Sequence, residues 1–388
     1  MEQNTRSIRE QTSRSAEREH SVPIFMTSSF VFESAEQARA LFAEEQQGNI
    51  YTRFSNPNTD EFVRKMAMLE NLDDGFATAS GMSAIFTSMA ALLKSGDHVV
   101  CARSVFGSTH QILTQIFPRW GIEFTYVDIA DQYHWEKAFK ANTRMLFLET
   151  PSNPSLDIID LERVGKICKA RGVLLNVDNC FCTPVLQRPA DFGADIVIHS
   201  ATKYIDGQGR ALGGIILARK DLMKDIRFFA RHTGPALSPF NAWIFSKSLE
   251  TLELRMQRHS ENALNLAQAL SKNAEIEKVI YPFLPDHPGY ALAKKQMKSG
   301  GGIVTLIVKG GINRGRKFLD SLKMLSHTAN LGDTRTIATH PASTTHSKLS
   351  DQERAQVGIL PGMVRISAGL ENTHDILADI EQALNASR

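Results

Sequence analysis

Hydrophobic positions in the first 220 residues form short continuous runs that are separated by amphipathic stretches. Residues 98–102, 144–149, 173–178 and 195–199 have the length and the aliphatic composition of buried strands. The apolar spacing in the stretches between them, as at 59–71 and 161–171, is helical. This alternation predicts a mostly parallel sheet covered by helices, with ligands beyond the carboxyl ends of the strands.

The pattern changes after residue 220. Residues 220–273 are predicted to be largely helical, and strands at 279–281, 302–308 and 363–367 follow without strict alternation with helices. A chain of 388 residues is also too long for one typical core. We therefore predict an N-terminal arm at 1–58, a large domain at 59–250 and a small α+β domain at 251–388.

A lysine follows the buried run 195–199 within a few residues. Lys203 lies among small hydroxyl residues and is followed by Gly207 and Gly209. Lysine is mostly a surface residue, so a solvated turn is the simple interpretation. The alternative hypothesis is that Lys203 holds an aldehyde cofactor as a Schiff base.

Other polar residues are predicted at the same edge of the sheet. Asp178 ends a buried strand, where a carboxylate needs a cationic partner such as an arginine or a protonated pyridine nitrogen. Ser200, Thr202 and the turn Ser80-Gly81-Met82 before a predicted helix are suited to binding a phosphate. Together with Lys203, these groups predict a site for pyridoxal 5′-phosphate.

The predicted arm contains a possible anion-binding pair. Tyr51 and Arg53 are one residue apart, so in an extended segment they point the same way. A guanidinium and a phenol can together hold an anion, although these residues also suit an ordinary surface loop.

Charge and composition exclude several classes of function. The net charge is +2 without blocks of like charge, which argues against nucleic acid or a membrane surface as the main partner. No apolar run is long enough to span a membrane, and the N-terminus lacks a secretory signal, so a cytosolic location is expected. Zinc ligation by His340, His346 and the irregularly spaced cysteines matches no usual pattern, and we predict no metal.

Motifs along nearly the whole chain resemble those of the Cys/Met-metabolism family of pyridoxal-phosphate enzymes, which have the aspartate aminotransferase fold (fold type I). The resemblance is seen at Tyr51-Thr52-Arg53, Ser80-Gly81-Met82, 149–154, 177–179, 199–204, Tyr281-Pro282, His287-Pro288, 340–343 and 365–371. It implies that Lys203 is the Schiff-base lysine and that Asp178 is the partner of the ring nitrogen.

The resemblance also implies roles for the other motif residues. It assigns phosphate binding to Gly81, Met82, Ser200 and Thr202. It assigns the substrate α-carboxylate to Arg365, helped by Asn153. Tyr51 and Arg53 are expected to reach the cofactor phosphate of a neighbouring subunit, so the active site would need a dimer. The expected assembly is a homotetramer, a dimer of such active dimers. A non-catalytic protein on this fold is disfavoured because Lys203, Asp178 and Arg365 are intact.

Two positions point to a subgroup of the family. Phe106 stands where many members have a tyrosine stacked on the cofactor, so it can stack but has no phenol to transfer protons. Asn330, expected in the substrate site, stands where lyases and cystathionine-forming members usually have serine. The chain is most similar to sulfhydrylases that act on O-succinylhomoserine.

The implied reaction is γ-replacement, in which O-succinylhomoserine and sulfide give homocysteine and succinate in methionine biosynthesis. Lys203 is the expected base, with Tyr51 of the neighbouring subunit as its only obvious helper. O-acetylhomoserine sulfhydrylase, cystathionine γ-synthase and methionine γ-lyase activities stay open as alternatives. A succinyl carboxylate calls for a cation near the site, and the candidates are Arg103, Arg119 and Arg335.

Overall fold

The computed structural model describes residues 2–344, 347, 350, 352, 354 and 358–388. Its first part contains α1 (Gln3–Arg9) and α2 (Ala35–Phe42). Trp243 Nε1 donates a hydrogen bond of 2.8 Å to the carbonyl of Val22 and so ties this part to the body of the protein. The extent of the arm, residues 1–58, stays a prediction.

Seven strands between residues 74 and 218 form one sheet. They are β1 (Asp74–Thr78), β2 (His98–Ala102), β3 (Glu123–Val127), β4 (Thr143–Glu149), β5 (Leu174–Asp178), β6 (Ile196–Ser200) and β7 (Gly214–Ala218). Their order is β1-β7-β6-β5-β4-β2-β3, and β2 to β6 pair in parallel. β7 pairs antiparallel with β6, because the loop 201–213 returns the chain without a crossover helix. β7 also pairs antiparallel with β1. The predicted, mostly parallel sheet is confirmed.

Helices cover both faces of this sheet. The helices of this part are α3 (Pro57–Glu70), α4 (Gly81–Ala90), α5 (Gly107–Gln111), α6 (Leu161–Arg171), α7 (Thr183–Leu186), α8 (Lys220–Thr233) and α9 (Pro239–Leu249). Apolar residues of α4 and α8 pack with Ile196 and Ile198 of β6 on one face. Apolar residues of α6 pack with Val197 on the other face.

The helix α10 (Leu252–Leu270) leads to a second sheet of five strands. These strands are β8 (Ile276–Ile280), β9 (Ile303–Val308), β10 (Ser326–His327), β11 (Ile337–Thr339) and β12 (Met363–Ser367), in the order β10-β11-β12-β9-β8. The other helices of this region are α11 (Tyr290–Gln296), α12 (Gly311–Ser321) and α13 (Thr373–Ala386). The boundary at residue 250 stays a prediction, although the two sheets lie on opposite sides of it in the chain.

One predicted helix differs from the structure in its position and is not a regular α-helix. The sequence predicts a helix at 135–140, and the structure has a 3₁₀ helix at Ile129–Ala138. Its backbone is non-helical at Asp131 and His134, and Trp135 is buried with its indole N–H donated to the carbonyl of Asp128 at 2.8 Å. This tertiary contact outweighs the weak local preference of a short segment. None of the helices that the structure describes is long and apolar enough to cross a membrane.

Candidate active site

The carboxyl ends of β4, β5 and β6 bring the predicted site residues to one edge of the sheet. Glu149 ends β4 and lies in register with Asp178, which ends β5. Asp178 is paired in turn with Ile198 of β6. A turn after β6, closed by a hydrogen bond of 3.2 Å from Lys203 N to the Ser200 carbonyl, brings Lys203 to the same edge.

Lys203 is held by a residue of the second sheet region. Its Nζ donates a hydrogen bond of 2.8 Å to Oδ1 of Asn330. Burial lowers the pKa of Lys203, and Arg365 lowers it further while Cys180 opposes the shift. A lysine in this environment is neutral more often than a surface lysine, as a nucleophilic or basic amine must be.

Asp178 lies in a site that disfavours its charge. Burial raises the pKa of Asp178 to about 6, although the backbone N–H of Cys180 and the imidazole of His199 favour the ionised form. The Cys180 N–H donates to Oδ1 at 2.9 Å. Among the described residues, no lysine or arginine forms an ion pair with Asp178. The carboxyl group therefore suits a cationic partner that is not part of the chain.

The start of α4 is packed closely against β6. Ser80 caps this helix by accepting a hydrogen bond of 3.1 Å from the backbone of Ser83. A Cβ atom on Gly81 would lie 2.5 Å from Cβ and 2.7 Å from Oγ of Ser200, so only glycine fits there without movement. Gly81, Met82 and Ser200 thus meet at a helix N-terminus, where backbone N–H groups and a positive dipole favour a phosphate.

Thr202 closes the other side of this region. Its hydroxyl donates to the carbonyl of Gly213 at 3.2 Å and accepts from the backbone N–H of Gly213 at 3.1 Å. These bonds join the turn that contains Lys203 to the start of β7. Thr202 and Ser200 are both partly exposed, so both can reach a ligand.

Arg365 of β12 is buried without an acidic partner. Its Nη1 donates to Oδ1 of Asn153 at 3.1 Å, and its Nη2 donates to the carbonyl of Asn330 at 3.0 Å. Within the described part of the chain, no carboxylate forms an ion pair with it. Burial lowers the pKa of Arg365 to about 10, with Tyr204 opposing the shift. An unpaired buried guanidinium beside two asparagines is suited to a carboxylate ligand.

Phe106 precedes α5 and is 42% exposed, which is high for a phenylalanine. The loop that contains it follows β2 at the same edge of the sheet as Asp178. An exposed aromatic ring at this edge is available to stack on a ligand ring.

Tyr51 and Arg53 lie together, but the structure does not bring them to Lys203. Arg53 packs over the rings of Tyr51 and Phe54 and donates a hydrogen bond to the carbonyl of Arg231 in α8. No hydrogen bond or ring contact among the described residues joins either of them to Lys203. Their exposure is compatible with contact to a neighbouring subunit, and that assignment stays a prediction.

The three cations considered for a succinyl group differ in their contacts. Arg103 forms an ion pair of 2.6 Å with Asp128, and Arg335 forms one of 2.9 Å with Asp333. Arg119 is exposed on the 3₁₀ turn Phe117–Trp120. Of the three, Arg103 directly follows β2 on the loop that contains Phe106.

The sequence interpretation missed a role for Glu149. This residue is only 8% exposed and lies beside Asp178 on the same face of the sheet. The signal in the sequence was an acidic residue at the end of a buried strand, the same signal that identified Asp178.

The residues considered for zinc ligation were His340, His346 and the cysteines. The described residues contain no group of three or more histidine, cysteine or acidic side chains arranged to hold a metal ion. His340 is engaged with Ser343 Oγ at 2.7 Å and with the Pro361 carbonyl at 2.8 Å. His346 lies outside the described residues.

Comparison with known proteins defines the class of this site. A model of the Cys/Met metabolism PLP-dependent enzyme family matches residues 4–385. The chain therefore belongs to this family, and its cofactor is pyridoxal 5′-phosphate. The family resemblance noted from the motifs is confirmed.

Two individual relatives are similar to this chain over nearly its whole length. The chain is 48% identical to an O-succinylhomoserine sulfhydrylase of Pseudomonas aeruginosa over 383 residues, which cover 99% of this chain and 95% of that protein. It is 45% identical to an L-methionine gamma-lyase of Fusobacterium nucleatum, over 94% of this chain and 93% of that protein.

Solved structures confirm the predicted fold type I. A Campylobacter jejuni structure named O-acetylhomoserine (thiol)-lyase (metY), which contains N′-pyridoxyl-lysine-5′-monophosphate, has a TM-score of 0.95 and 33% identity, with 99% of this chain and 100% of that chain covered. The structure of metB from Corynebacterium glutamicum has a TM-score of 0.92 and 35% identity, with 99% and 98% covered.

The residues at the sheet edge fit this cofactor. The missing side chain at position 81 lets the N-terminus of α4 lie directly against Ser200, so that helix N–H groups and the Ser200 hydroxyl meet at one place. Asp178 has the charge that a protonated ring nitrogen needs and lacks a cation within the described chain. Lys203 supplies a partly buried amine at the same edge.

Proposed function

We propose that the protein replaces the succinyl group of O-succinylhomoserine with sulfide and so forms homocysteine and succinate. The observation that supports an amino-acid substrate most directly is the pair of contacts to Asn330. The amine of Lys203 donates to the side chain of Asn330. The guanidinium of Arg365 donates to the backbone carbonyl of the same residue. A base and a carboxylate-binding group are thereby adjacent, as an α-amino acid requires.

Each site residue has a task in this proposal. Bound pyridoxal 5′-phosphate supplies an aldehyde for imine formation and a ring that accepts electrons from Cα. Asp178 keeps the ring nitrogen protonated, and Phe106 stacks on the ring. The phosphate is bound by Gly81, Met82, Ser200 and Thr202, together with Tyr51 and Arg53 of a second copy of the chain.

Substrate binding and proton transfer fall to the remaining residues. Arg365 and Asn153 bind the α-carboxylate, and Asn330 orients the amine of Lys203. Lys203 Nζ takes the proton from Cα, a second proton leaves Cβ, and succinate departs from Cγ. Hydrosulfide then adds at Cγ and two protons return, so that one substrate and one H₂S give homocysteine and succinate. Burial helps Lys203 to act as the base, since it lowers the pKa of this amine.

The substrate proposal is supported by the relatives named O-succinylhomoserine sulfhydrylase, at 48% and 42% identity. A second candidate is elimination from methionine, favoured by the 45% identical methionine gamma-lyase. Homotetramer formation, a cytosolic location and a role in methionine biosynthesis stay predictions.

Steady-state assays decide between these reactions. The holoenzyme is supplied with O-succinylhomoserine or O-acetylhomoserine and either sulfide or cysteine, and separately with methionine alone. We expect the highest kcat/KM with O-succinylhomoserine and sulfide, and homocysteine as the product found by mass spectrometry. Higher kcat/KM with O-acetylhomoserine, cystathionine as the main product, or faster formation of 2-oxobutyrate from methionine would each overturn the assignment.

A further inference from the structure

Two carboxyl groups lie side by side at the active-site edge of the sheet. Glu149 and Asp178 are directly paired on the parallel strands β4 and β5, so both side chains project from the same face. Neighbouring strands are about 4.8 Å apart, which puts the two groups within strong electrostatic contact. The mechanism above uses Asp178 and gives Glu149 no task.

The surroundings of Glu149 contain acids and thiols instead of cations. Its Oε1 is buried without a hydrogen-bond partner among the described residues. The titratable groups that interact with it are Asp178 on β5, Cys101 on β2 and Cys180 after β5. None of these can neutralise a second carboxylate.

The backbone groups that contact Glu149 belong to two other parts of the site. The backbone groups of Phe106 and Asn153 lie close enough to its carboxyl group to favour the ionised form, against the effect of burial. Phe106 is the residue proposed to stack on the cofactor, and Asn153 binds Arg365 at 3.1 Å. One buried side chain therefore lies beside Asp178 and adjoins the loops that present Phe106 and Asn153.

Elementary electrostatics decides which acid is charged. Two carboxylates that share a dry site cannot both ionise at little cost, and one of them retains its proton. Burial, and then Asp178, raise the pKa of Glu149 well above its ordinary value. Asp178 gains a cationic partner when the cofactor binds, whereas Glu149 gains none.

We propose that Glu149 is a positioning residue that stays a neutral carboxylic acid in the holoenzyme and holds the backbone of Phe106 and Asn153 in place. Its neutrality leaves the single negative charge of the pair on Asp178, opposite the ring nitrogen. The proposal rests on the cofactor site described above, but not on the identity of the acyl group or of the sulfur donor.

Replacement of Glu149 by its neutral isostere tests the charge. The holoenzyme and Glu149→Gln are titrated with pH while the absorbance of the lysine Schiff base is recorded. A neutral Glu149 predicts an unchanged midpoint. Loss of an ionised carboxylate near the protonated imine would instead lower the midpoint by about one pH unit or more, and that shift would overturn the proposal. Infrared difference spectra should show the C=O stretch of a protonated carboxyl group in the wild type but not in Glu149→Gln; its absence from the wild type would contradict the proposal.

Removal of the whole carboxyl group tests the positioning. In Glu149→Ala we expect KM for the amino-acid substrate to rise about tenfold or more, because the backbone of Phe106 and Asn153 loses the buried side chain that it adjoins. We also expect altered visible circular dichroism of the cofactor, with Glu149→Gln close to the wild type in both measurements. Asn176→Ala is the matched control, because Asn176 is buried on the same face two residues before Asp178 and bonds to Ser88 Oγ at 2.9 Å.

Wild-type dichroism and KM in Glu149→Ala would overturn the positioning role. The same would follow from equal changes in the Asn176→Ala control. If Glu149→Ala does not fold, the midpoint and the infrared spectrum of Glu149→Gln still decide the proposal. Failure of the acyl-homoserine assays would leave these spectroscopic results unaffected, so the two proposals fail separately.

Discussion

Two buried arginines show how similar side chains can serve different purposes. Burial lowers the pKa of both Arg255 and Arg365 to about 10. Arg255 donates to the backbone carbonyls of Tyr204 and Ser248 at 2.5 and 2.9 Å. Its donors therefore join the turn after β6 to the end of α9. Arg365 instead faces two asparagines at the site, which leaves it suited to an external carboxylate.

Lysine substitutions should separate these two purposes. Arg365→Lys removes the planar fork of donors, and we expect a loss of about 2 kcal/mol, which is roughly a 30-fold rise in KM for the amino-acid substrate. Arg255→Lys should mainly lower the free energy of unfolding in urea. A normal KM in Arg365→Lys would remove this arginine from the substrate site.

Residue types at strand ends allowed much of the site to be predicted from sequence. Asp178 and Lys203 were identified because a charged side chain at the end of a buried strand is costly unless it binds a partner of opposite charge or a ligand. Glu149 met the same criterion but was overlooked, since a pattern along one strand does not show which side chains lie together across two strands. The contact between Lys203 and Asn330 spans 127 residues of the chain, and no local pattern indicates it.

At the scale of elements, the site depends on the close approach of α4 to β6. Position 81 admits no side chain because Ser200 occupies the space where a Cβ atom would lie. The N-terminus of α4 can therefore approach the sheet edge closely enough to bind a phosphate between helix and strand. Gly107, at the start of α5, has no atom within 4 Å of an added Cβ and meets no such restriction.

An alanine at each of these glycines tests this packing. We expect Gly81→Ala to raise the dissociation constant of pyridoxal 5′-phosphate about tenfold or more, since overpacking costs about 1–3 kcal/mol. Gly107→Ala should leave cofactor affinity unchanged. Fluorescence titration of the apoenzyme with the cofactor measures both constants. Equal affinities for the two variants would argue against a phosphate site at this helix.

Strands and long helices were predicted better than short helical segments. The apolar runs of β2 and β4 fix strand positions because both faces of the sheet are buried. The apolar spacing at 108–117 predicts a helix, and the structure has a π-helical turn, Ile112–Ile116, within this range. Such turns depend on packing against neighbouring elements, which the apolar spacing of a single segment does not describe.

For the whole molecule, the account predicts an active site shared between two chains. Tyr51 and Arg53 are exposed and lie on the part of the chain that precedes α3, without a described contact to Lys203. We expect these exposed residues to complete the site of a second chain across a subunit interface. A symmetric dimer would then contain two equivalent shared sites.

Mixing two inactive variants tests this arrangement. Lys203→Ala and Arg53→Ala chains are unfolded and refolded together with cofactor. If Arg53 acts in the partner's site, hybrid dimers contain one intact site, and random pairing restores about a quarter of wild-type activity. Each variant refolded alone is the control. No recovery in the mixture, with hybrids present by native mass spectrometry, would mean that Arg53 acts within its own chain, and an active Arg53→Ala control would mean that it has no role.

The central claim of the account is that Lys203 binds the cofactor covalently at the carboxyl edge of the first sheet. Borohydride reduction of the holoenzyme, followed by proteolysis and mass spectrometry, tests it most directly. The account predicts one modified peptide with the reduced pyridoxyl group on Lys203 and no adduct in Lys203→Ala. An adduct on a different lysine of the wild type, or an undiminished adduct in Lys203→Ala, would contradict it.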